Sequence, residues 1–303
     1  MEKLADLVVL AKEKATKTLA VACGEDPHTI EAVAKGVKEG VIEATLVGNE
    51  DKIKSVAATY DVDTSLFSII HEPVPGKALK TAVKLVKEGK CNFLMKGLMD
   101  SSKYMRAILD KQEGLLPPGK IISHVTLVDF PDYPRVLIVS DVAVIPKPDL
   151  KQKIAMTNYC IEVAHKLGIE QPKVAIIAAV EKVNPKMEET IHAAVISKMA
   201  ERGQIKGAIV DGPLALDVAV SRESCKIKGL NSKVNGESDI LIFPNIETGN
   251  VFFKACTRLA GGEIAAVVVG AEVPCILTSR SDSEESKFYS IVFGALLAEE
   301  GIK

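Results

Sequence analysis

The chain has no tryptophan, and Phe and Tyr bring its aromatic content to only 4%. It therefore lacks the interleaved rings on which single-stranded bases stack. Strong charge of either sign is missing too. The 38 Lys and Arg stand against 40 Asp and Glu and are dispersed rather than striped, which argues against a nucleic-acid surface. No apolar run approaches the roughly 18 residues of a membrane helix. The six cysteines (Cys23, Cys91, Cys160, Cys225, Cys256 and Cys275) lie at least 19 residues apart, which excludes the close pairs of zinc or redox sites. Several sit inside apolar runs, as free thiols of a reducing cytosol do. The first residues, MEKLADLVVLAKEKA, read as an amphipathic helix without a signal peptide's basic start and cleavage site. The expectation is a cytoplasmic protein.

Familiar cofactor loops are also missing. There is no GxGxxG after the first strand-like run, and Gly76-Lys77 lacks the upstream glycine of a P-loop. No GxSxG nucleophile elbow occurs. The histidines at 28, 71, 124, 165 and 192 form no HExxH and no paired spacing, so they read as structural or surface residues.

What is present is alternation. Short apolar runs such as Leu19–Gly24, Ala44–Gly48 and Phe93–Gly97 are separated by stretches of helical period, for example Gly76–Lys90. That order implies βαβ units and a parallel sheet. It breaks after residue 123: Ser123–Phe130 and Arg135–Ser140 have only four residues between them, which permits only an antiparallel hairpin. The reading is an α/β chain in which a second domain, with a mixed sheet, starts near residue 126.

Four places could carry chemistry. The stretch Asp211–Lys254 joins two strand-like runs by a long polar loop holding Arg222, Lys226, Lys228 and Lys233, turns at Pro244-Asn245 and starts a helix near Gly249-Asn250. Loops of that length are rarely filler, and the carboxyl ends of strands face ligands in open α/β sheets. The lysines therefore point to an anionic ligand. The segment KGLMDSSKYMR offers Lys96, the hydroxyls of Ser101 and Ser102 as helix caps, and Arg106 at a strand-to-helix turn. At Ser279-Arg280, a hydroxyl and a guanidinium precede a helix whose first turn holds Asp282, Ser283, Glu284 and Glu285, a favourable anion site or an ordinary capped turn. Asp211, Asp217 and Ser140-Asp141 could orient a lysine, bind a metal or act as a base, or simply form turns.

With these residues in view, the chain resembles the phosphate acetyl/butyryl transferase family. The motifs KGLMDSSKYMR, SDVAVIPKPDL, DGPLALDVAV, LIFPNIETGN and TSRSDSEES carry the resemblance, in the family's order and across nearly the whole length. The length resembles the butyryl branch. The resemblance implies an isocitrate/isopropylmalate dehydrogenase-like fold, with two α/β domains around a cleft: 1–125 plus 271–303, the last helix returning to the first domain, and 126–270, the second domain making a homodimer or larger homo-oligomer. It implies reversible acyl transfer between coenzyme A and inorganic phosphate, with no cofactor and no metal. Ser279 matches the serine that bonds the CoA sulfur, Arg280 the arginine beside the phosphate, and Arg106 a second phosphate-binding arginine. Lys96, Ser101 and Ser102 join the phosphate set; Lys228, Asn245, Gly249 and Asn250 join Ser279 as CoA contacts. The acetyl enzymes carry a proposed basic aspartate where this chain has Ser286, so Glu285, Glu284 or Asp282 is expected to stand in. The competing classes are a non-catalytic CoA- or acyl phosphate-binding protein and an NAD-dependent decarboxylating dehydrogenase on the similar fold.

Overall fold

A computed structural model describes residues 1–131, 133–279 and 282–298. In chain order it begins with α1 (Asp6–Lys12), β1 (Lys17–Ala22), α2 (Pro27–Lys38), β2 (Ile42–Gly48) and α3 (Glu50–Thr59). There follow β3 (Ser68–His71), α4 (Pro75–Lys87), β4 (Phe93–Lys96) and α5 (Ser101–Ile108). Next come β5 (Ser123–Asp129), β6 (Leu137–Ser140), α6 (Leu150–Lys166), β7 (Lys173–Ile177), α7 (Glu188–Glu201) and β8 (Ile209–Leu214). The rest is α8 (Leu216–Val220), α9 (Arg222–Ile227), β9 (Ile240–Ile242), α10 (Ile246–Leu259), β10 (Glu263–Val269), β11 (Cys275–Ile276) and α11 (Glu284–Leu297).

The chain divides into two compact units. The first comprises Leu4–Ile122 with Ile264–Lys303, the second Met1–Lys3 with Ser123–Glu263. The sequence placed the second border at 270; it lies at 263/264 because β10 is tied to first-unit elements. Val268 pairs antiparallel with Cys275 of β11, and the Ala266 amide donates to Ser290 Oγ of α11 at 3.0 Å.

In the first unit the strand order is β3-β2-β1-β4-β11-β10. Strands β1 and β4 are almost wholly buried and read LAVA and FLMK, the continuous apolar lettering of parallel strands covered on both faces. Leu19 lies opposite Ala44 on one side and Phe93 on the other, and Ile276 of β11 lies opposite Met95. Successive strands run outward from β1 in one direction, and β4 then starts the other side. That reversal is the switch point at which open α/β sheets bind ligands, beyond the carboxyl ends of the strands.

Helix starts follow local chemistry. Asp26 caps α2 by accepting from the Thr29 amide at 2.9 Å, with Pro27 as the first helical residue. Asp149 and Gln152 form a reciprocal capping box on α6.

In the second unit the order is β5-β6-β9-β7-β8. Thr126 pairs antiparallel with Val139, while β6, β9, β7 and β8 run parallel. The sheet is mixed, with the hairpin that the four-residue link demands. The polar loop after Pro213 is partly helical: α8 and α9 occupy it, because Ser221 caps α9 through the Ser224 amide. Helix α10 begins at Ile246, earlier than the glycine-based reading, since the Asn245 side chain accepts from the Thr248 amide at 2.9 Å.

Candidate functional site

The first unit gathers its polar residues where β1, β4 and β11 end. Chain approach is close here. The Gly97 amide donates to the Ala22 carbonyl and the Leu98 amide to the Cys23 carbonyl, both at 2.8 Å. A Cβ on Gly97 would stand 2.1 Å from the Cys23 carbonyl oxygen, so only glycine lets the two turns touch. Cys23 takes a positive φ of 57° to make this contact. Lys96, 3% exposed, directs its ammonium toward the carbonyls of Gly97 and Met99, both at 3.4 Å. It closes the turn from within.

Helix α5 follows at once. Its cap is Asp100, not Ser101 or Ser102: one carboxylate oxygen accepts from the amides of Ser102 and Lys103 and from Ser102 Oγ at 2.6 Å. An aspartate one residue upstream outcompetes the hydroxyls for the orphan amides. Burial tends to raise a carboxyl, but at exposed Asp100 the Ser102 hydroxyl and these amides dominate and hold it below the usual range. Tyr104 is fully buried and bonds the Leu94 carbonyl at 3.3 Å, which pins the helix on β4 and leaves Arg106, two residues on, exposed in the last turn.

Strand β11 pairs with β4 through Cys275–Leu94 and Ile276–Met95, and Leu277–Ser279 follow directly after it. Ser279 is exposed; its amide donates to Asp282 Oδ2 at 2.7 Å, and the Asp282 amide returns to the Ser279 carbonyl at 3.3 Å. Ser283 caps α11 through the Ser286 amide. Glu285 is engaged, with its carboxylate 2.5 Å from Lys35 Nζ, an ammonium that lies 4.3 Å over the Phe288 ring. Arg280 lies outside the described residues.

In the second unit the motif residues are occupied by the fold itself. Asp141, 1% exposed, accepts four hydrogen bonds: from Ser123 Oγ and the amides of His124, Ala143 and Val144. Asp211 accepts from Ser232 Oγ at 2.6 Å and from the amides of Lys233 and Gly212. These are turn-forming roles. Asn245 is a helix cap, and Asn250 donates to the Val142 carbonyl at 3.0 Å. A Cβ on Gly249 would meet the Asp141 carbonyl oxygen at 2.2 Å, so this glycine is a point of close packing. The basic loop is largely neutralised: Lys228 bridges Glu181 and Asp217, each at 2.8 Å, and Arg222 pairs with Glu237 at 2.5 Å. Of the loop's four cations, Lys228 and Arg222 are thus paired with acids, Asp217 and Glu237 from the same stretch and Glu181 from outside it.

Comparison with known proteins decides the class. A family model for phosphate acetyl/butaryl transferase matches residues 3–74 and 66–295. The chain is 45% identical over 293 residues to phosphate butyryltransferase of Clostridium acetobutylicum, covering 97% of each. It is 46% identical over 295 residues to phosphate acetyltransferase of Thermotoga maritima, covering 97% of this chain and 99% of the other. A solved branched-chain phosphotransacylase from Enterococcus faecalis V583 superposes with a TM-score of 0.82 at 31% identity, over 94% of this chain and all of that one. The chain belongs to the phosphate acetyl/butyryl transferase family. It is an acyltransferase.

Seen as a family member, the chain has its expected phosphate residues Lys96, Ser101, Ser102 and Arg106 in one unit together with Ser279. Lys228, Asn245, Gly249 and Asn250 fall in the other. Ser286, at the position of the acetyl enzymes' aspartate, is 5% exposed in the first turn of α11. Its neighbour Lys287 was not singled out in the sequence. Lys287 is 2% exposed and bonds Asp26 Oδ2 at 2.6 Å. Nothing local marks either residue, since the partners are 261 positions apart. Among the described residues, no group of three or more His, Cys, Asp and Glu could hold a metal ion, and no helix is long and apolar enough to cross a membrane.

Proposed function

We propose that the chain transfers a short acyl group, butanoyl by preference, reversibly between coenzyme A and inorganic phosphate by direct attack in a ternary complex. The observation that carries the reading is the first-unit edge itself. In a member of this family, the Lys96-Gly97 turn and the amino end of α5 follow β4, and Ser279 follows β11, the strand that pairs with β4; this adjacency of β4 and β11 supports the reading.

In the direction that consumes acyl-CoA, a phosphate oxygen attacks the thioester carbonyl, the tetrahedral oxyanion collapses, and the CoA thiolate leaves. Arg280 and Arg106 hold phosphate and offset charge on the carbonyl oxygen as it develops. Ser279 bonds the sulfur. In the reverse direction the CoA thiol loses its proton before attack. Glu285 is the carboxylate assigned to that proton, and it must exchange its bond to Lys35 to serve. A carboxylate is a weak match for a thiol near pKa ~8.5, so positioning and the arginines carry more of the rate.

Enzyme cysteines are poor rivals to the CoA thiol as nucleophile. Burial pushes all six up, Cys23 and Cys91 to about 11 and Cys256 and Cys275 to about 12. This favours one displacement over an acyl-enzyme. The proposal includes CoA contacts at Lys228, Asn245, Gly249 and Asn250, an isocitrate/isopropylmalate dehydrogenase-like fold, a cytoplasmic location and a reaction without cofactor or metal. It also includes a homodimer through the second unit. An apolar cavity of about 310 Å³ lined by Phe130, Tyr133, Leu216 and Phe252, among others, supports the dimer, as do Val251 and Leu259, which are 68% and 86% exposed.

The test is an initial-rate panel of acyl-CoAs of increasing chain length at varied phosphate, with thiol release as the readout. Each methylene is worth about 1–3 kcal/mol of discrimination, so a butanoyl optimum should stand above acetyl by at least about tenfold. Release that ignores phosphate indicates a hydrolase; no release with retained CoA binding indicates a binding protein; a requirement for NAD indicates the dehydrogenase class.

A further inference from the structure

The buried ion pair of Asp26 and Lys287 belongs to no step of the proposed reaction, yet it occupies a position that stability alone does not explain. Lys287 lies in the first turn of α11, where exposed amides make the helix end positive. An ammonium there has the wrong sign for the dipole, and taking it out of water costs more than a surface pair returns. Asp26 is placed the other way round, as the N-cap of α2. Burial pushes its carboxyl up, but bonds from Lys287 Nζ at 2.6 Å and from Thr29 outweigh that and hold it below the ordinary value. Both partners are more than nine-tenths buried by residue. A replacement by two packed apolar residues would often be no less stable, so what the pair supplies is registry between two elements.

What it registers follows from its neighbours. On one side, Lys287 sits four residues past Ser283, the α11 cap, and Asp282, next to that cap, is bonded to Ser279 in both directions. On the other, Asp26 sits three residues past Cys23, whose carbonyl receives the Leu98 amide beside Lys96-Gly97. A second tie, Lys35–Glu285 at 2.5 Å, joins the same two helices nearer the surface.

We infer that Asp26 and Lys287 are positioning residues for the transfer: their pair fixes the amino end of α11, and with it Ser279, relative to the start of α2 and the Cys23–Leu98 contact beside Lys96-Gly97, so that the sulfur-bonding hydroxyl and the phosphate-holding groups keep one geometry. The inference rests on the transferase reading. Misplacing reacting groups by about 1 Å costs on the order of 10²-fold in rate, whereas CoA and phosphate retain their other contacts. Loss of the pair therefore acts on kcat more than on KM.

The experiment uses the full chain and four variants: Lys287→Met, Lys287→Arg, Asp26→Asn and the double Asp26→Asn/Lys287→Met. Measured are kcat and KM for butanoyl-CoA and phosphate, the melting temperature, and hydrogen exchange of the peptide spanning 279–286. Lys287→Met is expected to lower kcat by about 10–100-fold with both KM values within about threefold. Lys287→Arg should restore most of it. The double variant removes both charges and so melts near the wild type, yet stays slow and exchanges faster at 279–286. A double variant with wild-type kcat, or single variants that lose stability but keep kcat per folded molecule, overturns the positioning role. Wild-type protein with no phosphate-dependent release overturns the transferase reading instead, and the catalytic half of this inference with it. Unchanged exchange at 279–286 in every variant overturns its structural half.

Discussion

The two units present the same kinds of residue at the ends of their strands and use them in opposite ways. In the second unit, Asp141, Asp211, Asn245 and Asn250 all spend their oxygens or amides on backbone and hydroxyl groups of the fold, and Lys228 and Arg222 are met by acids. In the first, Ser101 and Arg106 stand exposed beside a turn that Gly97 and Asp100 have already satisfied. No acid engages Arg106 among the described residues. The difference teaches that a polar motif can serve the fold as well as the chemistry proposed for it. The first unit is not uniform either: Lys96, Ser102 and Glu285 are engaged, and Ser101 and Arg106 are the exposed members of its set.

Substitutions can break that contrast. The largest effect should come from Arg280→Ala, in the unit that holds the proposed phosphate residues. Loss of a key oxyanion or phosphate contact costs about 3–4 kcal/mol of transition-state stabilisation, or 10²–10³ in kcat, with melting unchanged. Near-normal turnover would remove Arg280 from the chemistry. Asp141→Ala should do the reverse. It leaves buried donors without an acceptor, at about 3 kcal/mol, and lowers the denaturation midpoint without a matching loss of rate per folded molecule. Gly249→Ala forces a methyl toward the Asp141 carbonyl and should cost about 1–3 kcal/mol, again read by denaturant titration; unchanged CoA affinity per folded molecule would remove Gly249 from the proposed CoA contacts.

The smallest effect is at Glu237. Hydrogen bonds from Arg222 and Lys173 hold its carboxyl down, at about 2 against an ordinary 4.5. A depressed acid stabilises the fold above its unfolded value, and that contribution fades as pH falls toward the folded one. The wild type should therefore exceed Glu237→Gln by about 1 kcal/mol at pH 7, and the gap should close between pH 4.5 and 2. A gap that persists at pH 2 would mean that the side chain acts by packing.

Much of the fold was legible because it rests on local pattern. The apolar runs that became β1, β4 and β9 are continuous in sequence, and the hairpin of β5 and β6 follows from a four-residue link. The cap of α5 was misassigned by one or two residues because Asp100, Ser101 and Ser102 are all good caps, and only geometry ranks them. Long-range electrostatics was not legible at all. Lys228 reads as a free cation until Glu181, 47 positions away, is found beside it. Lys287 draws no reading from the sequence, because its partner Asp26 lies 261 positions away. The candidate site was readable as motifs and their family likeness, and the Asp26–Lys287 pair was not.

The central claim is an acyl group passing from sulfur to phosphate. It is tested most directly by phosphorus NMR of the protein with butanoyl-CoA and inorganic phosphate in the presence of a metal chelator and without NAD. The account predicts an acyl phosphate resonance growing in step with free CoA thiol. Thiol release accompanied only by free butanoate, with no acyl phosphate signal, would contradict it.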